Sequence, residues 1–150
     1  MKHDQMITLI GWSDEIIEMA DILRREVFIN EQNVPEDEVF DGRNNDAVHI
    51  VILNKGTVVA TARMIEEPGA WHIGWVAVAQ NHRGKQLGNH VMLAAIKYIA
   101  SKDAHDIILT SQDSVCPFYE KLGFVPYGEK ISFESGVVLV PMRLQLEPHI

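Results

Sequence analysis

Cysteine is nearly absent from this sequence: Cys116 stands alone among 150 residues. An internal disulfide is therefore excluded, and so is a thiolate metal cluster. The seven histidines are scattered, with no H-E-x-x-H or C-x-x-C spacing, so no metal is expected. Long apolar runs are missing as well, and none approaches the length of a membrane span. The opening run MKHDQMITLIGWSDE is interrupted by Asp4, Gln5 and Thr8 and lacks the layout of a signal peptide, so the expected compartment is the cytoplasm. Positive charge is scarce: 13 Lys and Arg face 21 Asp and Glu, a net charge of −8 with histidine neutral. An acidic surface repels nucleic acid and anionic lipid, so neither is an expected partner, and it suits a cationic substrate such as an amine. Any anionic ligand must be held by a local feature that works against the global field.

What is present is ordinary for a globular chain, with 47% apolar and 23% charged residues. The length fits a single domain, 1–150, with one sizeable core. The apolar pattern changes period several times, which predicts a mixed α/β fold. Met6 to Trp12 alternates as a first strand. Ser13 reads as an N-cap followed by Asp14 and Glu15, and helical spacing continues to about Ile29. Asn30 to Asp46 is acidic and broken by Pro35 and Gly42, as in a loop with a short helical turn. Strands are expected at Ala47 to Leu53 and Thr57 to Ile65, joined by the turn Asn54-Lys55-Gly56. A fourth follows at Trp71 to Ala79, a helix at Gln86 to Ala100, and a short apolar strand at Asp106 to Thr110. Asp113 or Ser114 can cap a second late helix that ends at Gly123, and two strands close the chain near Phe124 to Phe133 and Val137 to Leu146.

The most informative stretch is WVAVAQNHRGKQLGNHVML, Trp75 to Leu93. A strand runs into a short loop, and a helix follows at once. Unpaired N–H groups and a partial positive charge at a helix N-terminus suit a diphosphate. Arg83 and Lys85 add two charges and His82 offers a third, while Gly84 and Gly88 let the backbone approach a ligand closely. Taken alone, this pattern also describes a surface turn with solvated charges.

The run VAVAQNHRGKQLGNHVM resembles motif A of the GNAT superfamily, whose loop reads Q/R-x-x-G-x-G/A, and Phe118-Tyr119-Glu120-Lys121-Leu122-Gly123-Phe124 resembles its motif B. The upstream RREVFINEQNVPEDEVFDGRNNDAVHI and VVATARM are similar to a bacterial branch of small GNAT proteins, with a fainter likeness to the N-terminal half of acyl-homoserine-lactone synthases. The resemblance implies an α/β (α+β) fold: a mixed, mostly antiparallel sheet of about seven strands, splayed between the fourth and fifth, with helices on both faces. It implies an N-acetyltransferase that uses acetyl-CoA as donor, needs no metal, and passes the acetyl group to a small amine or peptide amine. Many relatives dimerise through their late strands, so a homodimer is among the expected assemblies.

Carried over residue by residue, the resemblance places the diphosphate on Arg83, Gly84, Lys85, Gln86, Leu87, Gly88 and Asn89. Gln86 stands where the motif has its central glycine. The pantetheine arm would pair with the backbone of Val76, Ala77 and Val78, one of whose N–H groups polarises the carbonyl. Gln112 would lie near pantetheine or acceptor, and Tyr119 matches the general acid beside the sulfur. The strand HIGWVAVA lacks the carboxylate that many relatives use as a base; Glu26, Glu31, Glu38 and Glu66 are candidates only by their places in loops. Arg63 in ATARM requires a partner or solvent, either an acidic loop residue or the acceptor. His49 reads as a strand residue with a satisfied ring, and Cys116 as a small buried side chain. Leu139 replaces the histidine that the related branch tends to carry in its last hairpin, so that histidine's role does not transfer. Three other readings fit the residues: a CoA-binding sensor without chemistry, an acyltransferase for longer acyl-CoA donors, and an interaction domain that binds no CoA.

Overall fold

A computed structural model describes residues 6–146; Asp4 and Gln5, which entered the reading of the opening run, lie outside them. β1 (Met6–Gly11), β2 (Ala47–Asn54), β3 (Thr57–Glu67) and β4 (Ala70–Val78) form an antiparallel meander. β2 and β3 are joined by a two-residue hairpin in which Lys55 and Gly56 take φ of 53° and 84°, the mirror-image turn that matches strand twist. After β4 the chain crosses over through α3 (Leu87–Ala100) and returns as β5 (Asp106–Gln112), parallel to β4. β8 (Val138–Gln145) closes antiparallel on β5, and β6 (Val125–Pro126) and β7 (Ile131–Ser132) both pair with β8. The sheet has eight strands rather than seven, because the strand expected from Phe124 to Phe133 is broken into β6 and β7. Pro126 offers no N–H to a ladder, and Gly128 lies against the Pro141 ring.

α1 (Asp14–Arg24) and α3 carry the apolar faces that cover the sheet. Ser13 caps α1 as its sequence predicts, accepting from the Ile16 N–H at 3.3 Å. α1 buries Ala20 and Leu23; α3 buries Leu87, Val91, Met92, Ala95 and Ile99. Each fully buried valine, leucine, isoleucine or methionine among them contributes about 1.5–3 kcal/mol. The helical segment ends at Glu31, close to the expected end near Ile29, but beyond Arg24 it is wound as a π-helix, Arg25–Glu31. The wider turn rotates later side chains around the axis, a feature frequent at functional sites. It brings Phe28 edge-on to Trp75, with ring centroids 4.9 Å apart. α2 (Glu36–Val39) is a single turn in the acidic loop, and α4 (Cys116–Glu120) is the second late helix. The chain after α4 turns at Gly123, φ 102°.

Two irregularities shape the middle of the sheet. The β4–β5 ladder holds only Trp71 to Ile107 and His72 to Ile108, so the strands part beyond His72. On the other side of β4 the register with β3 slips: Thr61 faces Ala77, but Arg63 faces Gly74. Trp75 and Val76 therefore oppose the single residue Ala62, which is a β-bulge. Trp75 sits there at φ 47°, an unfavoured conformation for a bulky side chain that costs about 1–3 kcal/mol.

Candidate active site

The open side of β4 is set by hydrogen-bond alternation. The Ala79 N–H reaches back to the Val59 carbonyl at 2.9 Å. In an antiparallel pair the polar groups alternate direction, so Ala77 also faces β3 while Val76 and Val78 turn their N–H and C=O toward the gap. The Val78 carbonyl accepts from Arg83 Nε at 3.1 Å, in agreement with that count.

At the end of β4 the chain makes a 3-10 turn, Gln80–His82, and Gly84 takes φ 82°. Gln86 follows at φ 65° as the residue before α3, and its carbonyl accepts the first helical bond, from His90 N–H at 3.0 Å. Among the described residues, no backbone or side-chain acceptor meets the N–H groups of Gly84 through Asn89. A row of free donors at a helix start, next to a positive dipole end, suits an anion. It borders a cleft of about 370 Å³ lined by Val78, His82, Arg83, Gly84, Gln86, Leu87, Gly88, Asn89, Phe118 and Lys121.

Most of the residues expected from the sequence meet here, with several differences of detail. The Arg83 guanidinium is not a spare charge. It forks onto the Glu31 carboxylate, with Nη2 to Oε1 at 2.8 Å, and the pair holds the Arg83 pKa above and the Glu31 pKa below its ordinary value. Lys85 is exposed and lies outside the cleft lining, and Gln112 is the last, exposed residue of β5. His82 bonds Asn54 and Asn81 through its two ring nitrogens. Phe118 and Lys121 line the cleft although the sequence reading passed over them; their signal was the same FYEKLGF run that drew attention to Tyr119. Tyr119 stands beside the cleft rather than in its wall, edge-on to Phe118 and Phe124 at 5.0 and 6.0 Å. Burial, with a smaller contribution from Cys116, pushes its phenol up to about 12, so it keeps its proton at neutral pH.

The backbone at Gln86 is left-handed, a conformation that glycine, the residue expected there from the motif it resembles, adopts without strain. Gln86→Gly is expected to raise unfolding stability by about 1 kcal/mol and to leave acetyl-CoA affinity equal or better. Urea melts and titration calorimetry check this; a large loss of affinity contradicts it.

Arg63 is paired with an acidic loop residue: both terminal nitrogens reach the Asp41 carboxylate at 2.8 Å. His49 is buried with a satisfied ring, its Nε2 donating to the Asn44 carbonyl at 3.0 Å and its Nδ1 accepting from Arg24 at 3.1 Å. Cys116 is buried and free. No group of three His, Cys, Asp or Glu among the described residues could hold a metal, and no described helix is long and apolar enough to cross a membrane.

Comparison with known proteins agrees with this architecture. Residues 12–146 match the family model of the acetyltransferase (GNAT) domain. The chain is 32% identical to the uncharacterised N-acetyltransferase YjcF of Bacillus subtilis, over 88% of this chain and 94% of that one. Its fold is similar to that of a solved acyl-CoA N-acyltransferase from Pseudomonas aeruginosa, with TM-score 0.82, 25% identity, and 93% and 99% of the two chains covered. An aminoglycoside 6'-N-acetyltransferase solved with coenzyme A shares the fold at TM-score 0.74 and 16% identity, over 95% and 99% of the chains. The protein belongs to the GNAT acetyltransferase family. It is an acyltransferase that takes its acyl group from a CoA thioester and gives it to an acceptor.

Proposed function

We propose that this protein, as a single domain over 1–150, transfers an acetyl group from acetyl-CoA directly to a primary amine of a small molecule or peptide in the cytoplasm. The observation that carries the proposal is the row of unpartnered N–H groups from Gly84 to Asn89, opening on a cleft continuous in sequence with the free edge of β4. The diphosphate sits on that row, and the pantetheine enters between β4 and β5 where their ladder ends. Val76 N–H donates to the thioester oxygen and polarises the carbonyl. The amine nitrogen attacks the carbonyl carbon, the C–S bond breaks, and the electron pair leaves on sulfur. Tyr119 stabilises that thiolate by donating a hydrogen bond. Its raised pKa makes full transfer uphill, so the thiolate is neutralised as the acylated nitrogen releases its proton through water. No carboxylate stands on β4, and Glu31 is engaged by Arg83. The net charge of −8 favours a cationic acceptor. Buried Cys116, bonded only to the Gln112 carbonyl, supports direct transfer over an acyl-cysteine route. Exposed Val125, Tyr127, Ile131 and Phe133 along the closing edge are consistent with a homodimer formed there.

Gly88 tests the placement of the donor. A Cβ on it would lie 3.4 Å from Phe118 Cζ and 3.8 Å from Val78 Cγ2, so a larger side chain occupies the cleft. Gly88→Val is expected to weaken acetyl-CoA binding about 30-fold, equivalent to about 2 kcal/mol, with the fold intact by circular dichroism. Unchanged affinity by calorimetry contradicts the placement. Thiol release with an amine panel, and with acetyl-, butyryl- and octanoyl-CoA as donors, separates this reading from a CoA sensor and from a longer-chain enzyme.

A further inference from the structure

An ammonium group must lose a proton before its nitrogen can attack, and β4 carries a side chain placed to take it. Directly paired residues of a sheet turn their side chains to the same face. His49, Arg63 and Gly74 stand opposite one another across β2, β3 and β4, and His72, two residues before Gly74, shares their face. Arg24 of α1 bonds His49, so this is the face on which α1 packs. α1 covers β2 and β3 and reaches β4. Beyond β4 the same face is open: on β5 Ile108 is half-buried and Thr110 and Gln112 are exposed, whereas Ile107, Leu109 and Ser111 on the opposite face are buried. The parallel ladder ends at the pair His72 and Ile108. His72 therefore stands where the covered half of the face meets the open half, at the point where β4 and β5 part.

The ring leans toward the gap. A Cβ on Gly74 would lie 3.4 Å from His72 Cε1 and 3.8 Å from Nδ1, so the imidazole lies over Gly74, on the side of Val76. His49 and His82 have both ring nitrogens bonded to protein groups. The half-buried ring of His72 has no hydrogen-bond partner among the described residues, and neither nitrogen is sealed from solvent. Burial holds its pKa below the ordinary value, with Glu67 opposing and Arg63 and Arg43 adding to the fall, so the ring is neutral and able to accept a proton at neutral pH. The other charged groups of this face are engaged: Arg63 holds Asp41, and Arg24 and Asp21 of α1 bond His49 and Asn44. Arg143 of β8 stands level with His72 across Ile108 and lies over the Tyr127 ring at 5.6 Å.

We propose that His72 is the general base of the transfer and takes a proton from the ammonium group of the acceptor as it enters over the open face of β5. The inference rests on the donor reading above and adds to it the group that makes the nucleophile. At about 3.3 Å per residue, Gly74 and Val76 are about 7 Å apart. A nitrogen about 3 Å from the carbonyl carbon and about 3 Å from the ring nitrogen fits between the imidazole and a thioester held by the Val76 N–H. Neutral imidazole becomes imidazolium, and the nitrogen keeps the electron pair that forms the C–N bond. The imidazolium returns its proton to solvent before the next turnover. The second proton follows the route already given, from the acylated nitrogen to the thiolate through water.

Two readouts on the full chain test this. The histidines are labelled with ¹³C, and the His72 Cε1–H resonance is identified by its loss in His72→Gln. Acetyl-CoA is expected to shift that resonance, and coenzyme A without an acetyl group to shift it less. An unmoved His72 signal, with acetyl-CoA bound by calorimetry, overturns the inference and leaves the donor reading standing. Thiol release is followed with spermidine, an alkylamine that is cationic at neutral pH, and with hydroxylamine, which is uncharged there and needs no base. His72→Gln, folded by circular dichroism, is expected to lower kcat with spermidine by about 10²- to 10⁴-fold. The wild type is expected to show an acid limb with its midpoint below 6.5, and the variant a rate that keeps rising with pH as hydroxide replaces the ring. Transfer to hydroxylamine, corrected for the uncatalysed reaction, is expected to stay within about threefold, a split that a merely structural role would not give. His72→Glu, which supplies a carboxylate base, is expected to recover part of the spermidine rate. Equal loss with both amines, or no loss with spermidine, overturns the inference; a wild type that acylates neither amine leaves the decision to the resonance. Failure of the wild type to bind acetyl-CoA removes the donor reading, and the inference with it.

Discussion

Tyr119→Phe is expected to lower turnover by about 10²- to 10³-fold, the range for loss of one preorganised hydrogen-bond donor to a developing anion, while acetyl-CoA binds as in the wild type. The reasons lie in the environment of the phenol. Its ring is fixed by edge contacts to Phe118 and Phe124, so phenylalanine fills the same space. Its proton is retained because burial raises the pKa to about 12. A protonated hydroxyl beside the cleft can donate to sulfur only once charge develops there, so its removal affects the transition state and spares the ground state. The expected signature is a fall in kcat with unchanged donor Kd, read from thiol release and calorimetry. Turnover equal to wild type would take Tyr119 out of the mechanism.

The second large effect is on stability against pH and belongs to His49. This ring is buried, donates to Asn44 and accepts from Arg24. Burial is the main cause that lowers its pKa from 6.5 to about 4, with Arg24 and Arg63 adding to it and the Asn44 carbonyl opposing it. The unfolded chain therefore takes up this proton near pH 6.5 and the folded chain only near pH 4. Between those values the unfolded state binds more protons, so stability falls as pH falls. The contribution is intact above about pH 6.5 and is lost on descent to about pH 4, at a cost of about 3 kcal/mol. Glutamine at position 49 can still donate to the Asn44 carbonyl but cannot titrate. Urea midpoints followed from pH 7 to pH 4 are expected to drop about 3 kcal/mol further for the wild type than for His49→Gln. Parallel curves contradict the assignment. His72, also lowered by burial, acts in the same direction in both proteins and cancels in the comparison.

Much of this architecture was legible from local patterns, because local rules govern it. Ser13 with two acidic residues behind it announced α1, and Lys55-Gly56 announced a tight hairpin. The basic glycine loop before an apolar helix announced the row of unpartnered N–H groups at the start of α3. The features that were not legible depend on contacts between distant positions. The fork from Arg83 to Glu31 joins residues 52 apart in sequence, and Glu31 is the last residue of the π-helical segment Arg25–Glu31. Nothing in REVFINE distinguishes that winding from an ordinary α-helix. The bulge at Trp75 likewise leaves a strand-like pattern, since Ile73 is buried and Trp75 only half-buried. It is recognised only from the pairing of β4 with β3, where Thr61 faces Ala77 but Arg63 faces Gly74. The break in the closing strand was within reach: Pro126 and Gly128, two residues apart, are poor members of a ladder.

A crystal structure of the acetyl-CoA complex tests the assembled site most directly. Diphosphate oxygens within hydrogen-bonding distance of the N–H groups from Gly84 to Asn89, pantetheine between β4 and β5, and the Tyr119 hydroxyl facing sulfur are the expected result. Diphosphate bound elsewhere, or a Tyr119 hydroxyl directed away from the sulfur, would contradict it.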